Sequence, residues 1–137
     1  MIEGYTEIDS LTITSKLQNL PNVEALVDKV CGEIGVSEDM YGNVLIAVTE
    51  AVNNAIIHGN SMKAEAEVAV SVVDSESTFG FSVKDSGNGF DHINLPDPTA
   101  PENIEKESGR GIFLMRNLAD DVQYNESGNT VTVLFNK

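Results

Sequence analysis

The sequence predicts an α+β fold: a two-layer α/β sandwich whose mixed, mostly antiparallel sheet carries helices packed on one face. Three observations carry that expectation. Apolar residues recur at helical spacing in two consecutive segments, Val23 to Ile34 and Val44 to Ile57. From Glu65 the apolar period changes to two, in a pair of segments split by a short polar loop. Helical spacing then returns once, in "GIFLMRNLAD", before two last alternating segments. The resulting order is β-α-α-β-β-loop-α-β-β, which groups strands and helices rather than alternating them.

Residues 5–15, "YTEIDSLTITS", are β-branched and partly alternating, and open the chain as a strand. Pro21 suits the first turn of a helix in which Val23, Leu26, Val27, Val30 and Ile34 line one side. Ser37 is the expected N-cap of the second helix, with Met40 at its third helical position. That helix is expected to run to about His58 and to stop at Gly59. In "EAEVAVSVV", Ala66, Val68, Val70 and Val72 share a face, and in "TFGFSVKD" Phe79, Phe81 and Val83 do the same. Asp74 to Ser77 fits the hairpin loop between them. The glycine- and proline-rich stretch 85–111 is too long for a turn, and such loops are usually functional or disordered. The last strands, "DVQYNE" and "TVTVLFN", flank a turn at Ser127-Gly128-Asn129.

Length and composition narrow the function. A chain of 137 residues with 41% hydrophobic content suits a single domain spanning residues 1–137, with a core large enough to need no staples. A net charge of -14 argues against nucleic acid or an anionic membrane as partner. The single cysteine, Cys31, cannot form an internal disulfide or a cysteine-based metal site, and its apolar helical setting suits a small core residue. The N-terminal "MIEGYTEIDS" lacks the basic and apolar blocks of a secretion signal. No window approaches the roughly 18 apolar residues of a membrane span. A cytoplasmic location is the expectation.

Three places carry chemistry. In "EAVNNAIIHGN", at the end of the apolar second helix, Glu50, Asn54 and His58 are successive i, i+4 neighbours on one stripe. A helix apolar nearly all round is buried, so this stripe faces something other than bulk water. A carboxylate and an amide oxygen one turn apart suit a hard cation such as magnesium and a nearby nucleophile; a structural hydrogen-bond network would use the same groups. In "VKDSGNGFD", alternation puts Asp85 on the apolar face of Phe79, Phe81 and Val83, where a carboxylate needs donors. The exocyclic amino group of a base would supply one, and Gly87 and Gly89 let the backbone approach a flat ligand. An ordinary Asp-Ser-Gly turn also fits that stretch. In "ESGRGIFLMRN", Ser108, Gly109 and Gly111 lead into a helix whose free N–H groups and dipole favour anions. The chain has 8 Lys+Arg, and Lys106, Arg110 and Arg116 fall within this short region, although an N-capped surface helix remains open. Neither a Walker A loop nor a dinucleotide fingerprint is present.

Together, "TEAVNNAIIHGN", "DSGNGF" and "SGRGIFLM" resemble the N, G1 and G2 boxes of the GHKL ATPases, the Bergerat-fold superfamily that includes histidine kinases and gyrase. The resemblance covers nearly the whole chain and is closest to the anti-sigma factor serine-protein kinase branch. It implies ATP and Mg2+ as cofactors, with Glu50 as general base, Asn54 as magnesium ligand and Asp85 as acceptor for the adenine amino group. It further implies a base pocket shaped by Gly87 and Gly89. An ATP lid at about 90–111 would end in a phosphate loop of Ser108, Gly109, Arg110, Gly111 and Ile112. The implied reaction is phosphorylation of a serine on a STAS-domain anti-anti-sigma partner. Nucleotide-dependent binding of a sigma factor and homodimerisation are implied by the resemblance alone.

Two positions depart from the family. Asn129 stands before Thr130 where a glycine-flanked threonine pair is common, and alternation with Val131, Val133 and Phe135 puts Asn129 on the pocket face. Glu24 and Ala25 occupy the first-helix position where well-known kinase members carry a partner-binding arginine. The alternative is therefore a catalytically silent module that uses ATP only to grip a protein. A plain ATPase is a third reading. No upstream helix pair with a phospho-acceptor histidine is present, which disfavours a histidine kinase. His58 stays open between helix-end structural residue and phosphate neighbour.

Overall fold

The computed structural model describes residues 4–59, 63, 65–86, 115–125 and 129–137, with His58 and Gly59 described through their backbone. Its strands are β1 (Thr6–Thr14), β2 (Glu67–Asp74), β3 (Thr78–Lys84), β4 (Asp121–Tyr124) and β5 (Thr130–Asn136). They form one five-stranded sheet in the order β1-β2-β3-β5-β4, with every neighbouring pair antiparallel. Two helices, α1 (Leu20–Ile34) and α2 (Glu38–Asn54), connect β1 to β2, and residues 115–118 are helical before β4. The expected α+β arrangement is what these residues form.

Cross-strand rows explain why the helices sit on one face. Leu11, Val70, Val83, Val131 and Tyr124 are successive partners across the sheet, and Val72, Phe81, Val133 and Val122 make the next row. Residues opposite one another in an antiparallel ladder share a face. Those rows join Val23, Val27 and Val30 of α1 and Val44, Val48 and Val52 of α2 in one core. Phe79 and Phe135 stack within it, with ring centroids 5.6 Å apart.

The helix signals read from sequence act as expected. Pro21 lies in the first turn of α1, and Gly35 closes that helix in the left-handed conformation (φ 79°). The Ser37 hydroxyl accepts from the Met40 N–H at 3.2 Å, capping α2, whose first turn also carries Glu38 and Asp39 where the dipole favours anions. The Tyr41 hydroxyl of α2 donates to the Asp28 carboxylate of α1.

Three features differ from the sequence expectation. Regular α-helix ends at Asn54, and Ala55–Gly59 form a widened π-helical turn rather than a continuous helix to His58. Ala55 and Ile56 stay buried through this turn, beside Ala51 and Val52 of the regular helix. β1 carries a register shift between Glu7 and Asp9 that simple alternation does not anticipate. Finally, β5 is buried on both sides, because Thr132 and Leu134 are covered as well as Val131, Val133 and Phe135. Thr132 shares a 2.6 Å hydroxyl–hydroxyl hydrogen bond with Ser82. Leu134 lies against Gly80, where an added Cβ would meet the Val133 carbonyl oxygen at 2.4 Å and Leu134 Cδ2 at 2.5 Å. A glycine inside a strand here permits close approach of the neighbouring one.

Candidate functional site

The described candidate residues lie in the C-terminal part of α2 and at the ends of β3 and β5. α2 rests on both of those strands, so its sheet-facing side is filled by Ala47, Val48, Ala51 and Val52. Glu50, Asn53 and Asn54 are half-buried rather than exposed. Thr49, the preceding residue, satisfies its own hydroxyl by donating to the Leu45 carbonyl at 2.8 Å. Asn54 has no such internal outlet: among the described residues, its side-chain amide makes no hydrogen bond. Its half-buried amide is therefore not tied up by another side chain or the backbone among the described residues. Glu50 and Asn54 keep their one-turn relation in regular helix. His58 follows inside the widened turn, so the simple i, i+4 spacing no longer extends the stripe to it.

At the sheet end, Asp85 is only 9% exposed. It continues the face of Phe79, Phe81 and Val83, as alternation predicted. The β3–β5 register runs through Val83–Val131 and Lys84–Thr130, and the Asp85 N–H then donates to the Asn129 carbonyl at 2.9 Å. Asp85 and Asn129 are thus cross-strand neighbours on the helix-facing side. The Ser86 hydroxyl donates to the Glu67 carbonyl at 3.2 Å and anchors the chain just after Asp85. A carboxylate in this position can take an N–H donor from a ligand, and the amide beside it can donate or accept.

Asn129 is itself held by a residue the sequence reading passed over. Asn125 lies at the end of β4, and its Oδ1 accepts from the Asn129 N–H at 3.1 Å and the Thr130 N–H at 3.2 Å. Its Nδ2 donates to Asn129 Oδ1 at 2.6 Å. The available sequence signal was a second asparagine four positions ahead of Asn129 across a Ser-Gly turn.

Gly87, Gly89, Ser108, Gly109, Arg110, Gly111, Ile112 and the expected lid at about 90–111 lie outside the described residues. Among the described residues, no three His, Cys, Asp or Glu side chains gather where they could hold a metal ion, and no helix is long and apolar enough to cross a membrane.

A family model described as a histidine kinase-like ATPase domain matches residues 13–135. The chain belongs to that family. Among curated relatives, the serine-protein kinase RsbW of Bacillus cereus (strain AH820) is 28% identical over 138 residues, covering 96% of this chain and 85% of the relative. The same figures hold for the RsbW proteins of Bacillus anthracis and of Bacillus thuringiensis (strain Al Hakam). These relatives fall in the anti-sigma serine-protein kinase branch that the three boxes resemble. The chain also aligns with a crystal structure of the RsbU and RsbW domains of a Mycobacterium tuberculosis protein, with a TM-score of 0.62 and 16% identity. That match covers 94% of this chain and 32% of the other, and it speaks for the fold.

Proposed function

We propose that this protein is an ATP-dependent serine/threonine protein kinase of the anti-sigma type, acting on a STAS-domain anti-anti-sigma partner in the cytoplasm and switching a sigma factor between bound and free. The observation that carries the proposal is the buried Asp85 carboxylate at the end of the β3–β5 ladder, where the Asp85 N–H pairs with the Asn129 carbonyl. An acceptor held at the edge of an apolar core suits the exocyclic amine of adenine, whose ring the core side chains can border. Asn54 supports the same reading, because one amide oxygen meets the needs of magnesium, which takes few protein ligands and completes its shell with water and phosphate. When bound, Mg-ATP supplies the transferable phosphoryl group and neutralises its charge.

The chain's own residues then have separable tasks. Asp85 orients the base and Asn54 holds the metal end. Glu50, half-buried one turn before Asn54, accepts the proton of the incoming serine hydroxyl. In phosphoryl transfer, positioning and charge stabilisation supply most of the acceleration, so this short list suffices. The residues 108–112 and the lid at about 90–111 complete the nucleotide site within a single domain, residues 1–137. Homodimerisation belongs to the same proposal.

The test is Glu50→Ala, with Mg-ATP binding and transfer to the cognate STAS protein measured on the same preparation. Transfer falls at least a hundredfold while ATP affinity stays within about threefold. Transfer surviving within tenfold removes Glu50 from the role of base. One observation favours a second reading, a nucleotide-gated adaptor without catalysis: α1 presents exposed Glu24 and Ala25. Partner capture that requires Mg-ATP yet leaves no phosphoserine on wild-type reaction products selects that reading.

A further inference from the structure

Asparagine side chains can be turned either way about their last bond, and the hydrogen-bond network decides which way they point. Here the network leaves no freedom. Asn125 Oδ1 is the atom facing two backbone N–H groups, those of Asn129 and Thr130, and an amide nitrogen there would meet two donors. Asn125 must therefore present Nδ2 to Asn129, and the Asn129 atom 2.6 Å away must be the acceptor, Oδ1. The Thr130 hydroxyl reinforces that choice by donating to the same Oδ1 at 3.3 Å. Asn129 Nδ2 is left as the outward group, and among the described residues it has no acceptor.

We infer that Asn125 is a positioning residue that fixes the polarity of Asn129, so that a donor stands next to the Asp85 acceptor and the pair discriminates adenine from guanine. This rests on the nucleotide reading of the site. Adenine offers an amino donor flanked by ring-nitrogen acceptors. It matches an acceptor and a donor side by side. Guanine offers a carbonyl acceptor beside a ring N–H donor, the reverse pattern, and would mispair with both the buried Asp85 carboxylate and the half-buried Asn129 amide. Neither the carboxylate nor the amide alone encodes this; the orientation imposed from β4 does.

The substitution that isolates the effect is Asn125→Asp. The carboxylate still accepts both backbone N–H groups, so the turn keeps its anchor, but it can no longer donate to Asn129. Two oxygens facing each other repel, and the Asn129 amide turns over, presenting Oδ1 to the ligand. ATP and GTP dissociation constants are measured by calorimetry for the wild type, Asn125→Asp, Asn129→Asp and Asp85→Asn. The wild type prefers ATP. In Asn125→Asp the ATP affinity falls about tenfold while GTP affinity holds or rises, narrowing the preference. Asn129→Asp, which offers only acceptors with the Asn125 donor intact, reproduces the narrowing and covers the case in which the first variant folds poorly. A general loss of structure would weaken both nucleotides alike and leave their ratio unchanged. Wild-type ATP binding that Asp85→Asn abolishes, together with an unaltered ATP-to-GTP ratio in both other variants, overturns the role of Asn125 alone. A wild type that binds no ATP overturns this inference and the nucleotide reading together.

Discussion

α1 and α2 lie against each other on the same side of the sheet, and each buries five side chains. Their remaining surfaces differ. α1 covers its buried stripe with exposed polar residues such as Glu24, Asp28 and Lys29, then stops at a left-handed glycine. α2 carries Glu50, Asn53 and Asn54 in half-buried positions, then widens into a π-helical turn. α1 keeps its polar residues exposed, whereas α2 holds three of them half-buried, which is what the proposed nucleotide site calls for. Widened turns of this kind concentrate at functional sites, which fits the placement directly after Asn54.

That contrast can be sharpened by substitutions in each helix. Asn54→Ala should lower phosphoryl transfer on the order of a thousandfold, by the scale of losing one preorganised charge-stabilising group. Its unfolding midpoint in urea should hold or rise slightly, since alanine is the better helix former and no described hydrogen bond is lost. Leu26→Ala in α1 should do the opposite. Truncating this core side chain, 8% exposed, should cost about 3 kcal/mol in a urea titration while the ATP dissociation constant of the folded protein stays unchanged. Ser37→Ala, which removes the cap between the two helices, should cost about 1 kcal/mol, again with unchanged ATP affinity. If Leu26→Ala shifts nucleotide affinity as strongly as Asn54→Ala, the division of labour between the helices is wrong.

The same division explains what could be read from the sequence. α1 was legible because its apolar spacing, Pro21 and Gly35 agree with one another. The sheet was legible because two periods of alternation, Val68 to Val72 and Phe79 to Val83, fix which face each residue takes. The burial of Asp85 followed from that alternation without any knowledge of a ligand. The π-helical turn was not legible: Ala55, Ile56 and Ile57 are uniformly apolar, so no polar residue marks where the period changes. Burial of Thr132 and Leu134 was also hidden, since it depends on Gly80 and Ser82 of the adjacent strand. The Asn125 clamp was missed for a related reason. Its partners lie across a turn, and a count of strand residues gives a polar side chain at a strand end no role.

The most direct measurement is thermal unfolding with and without saturating Mg-ATP, for the wild type and Asp85→Asn. At a free nucleotide level of about 100 times Kd, binding to the native state adds roughly 2.7 kcal/mol, a rise of several degrees for a domain of this size. A rise in the wild type that disappears in Asp85→Asn is the expected result. A wild type that melts at the same temperature with and without Mg-ATP, or an Asp85→Asn variant that retains the full rise, would contradict the assignment of this site to a nucleotide.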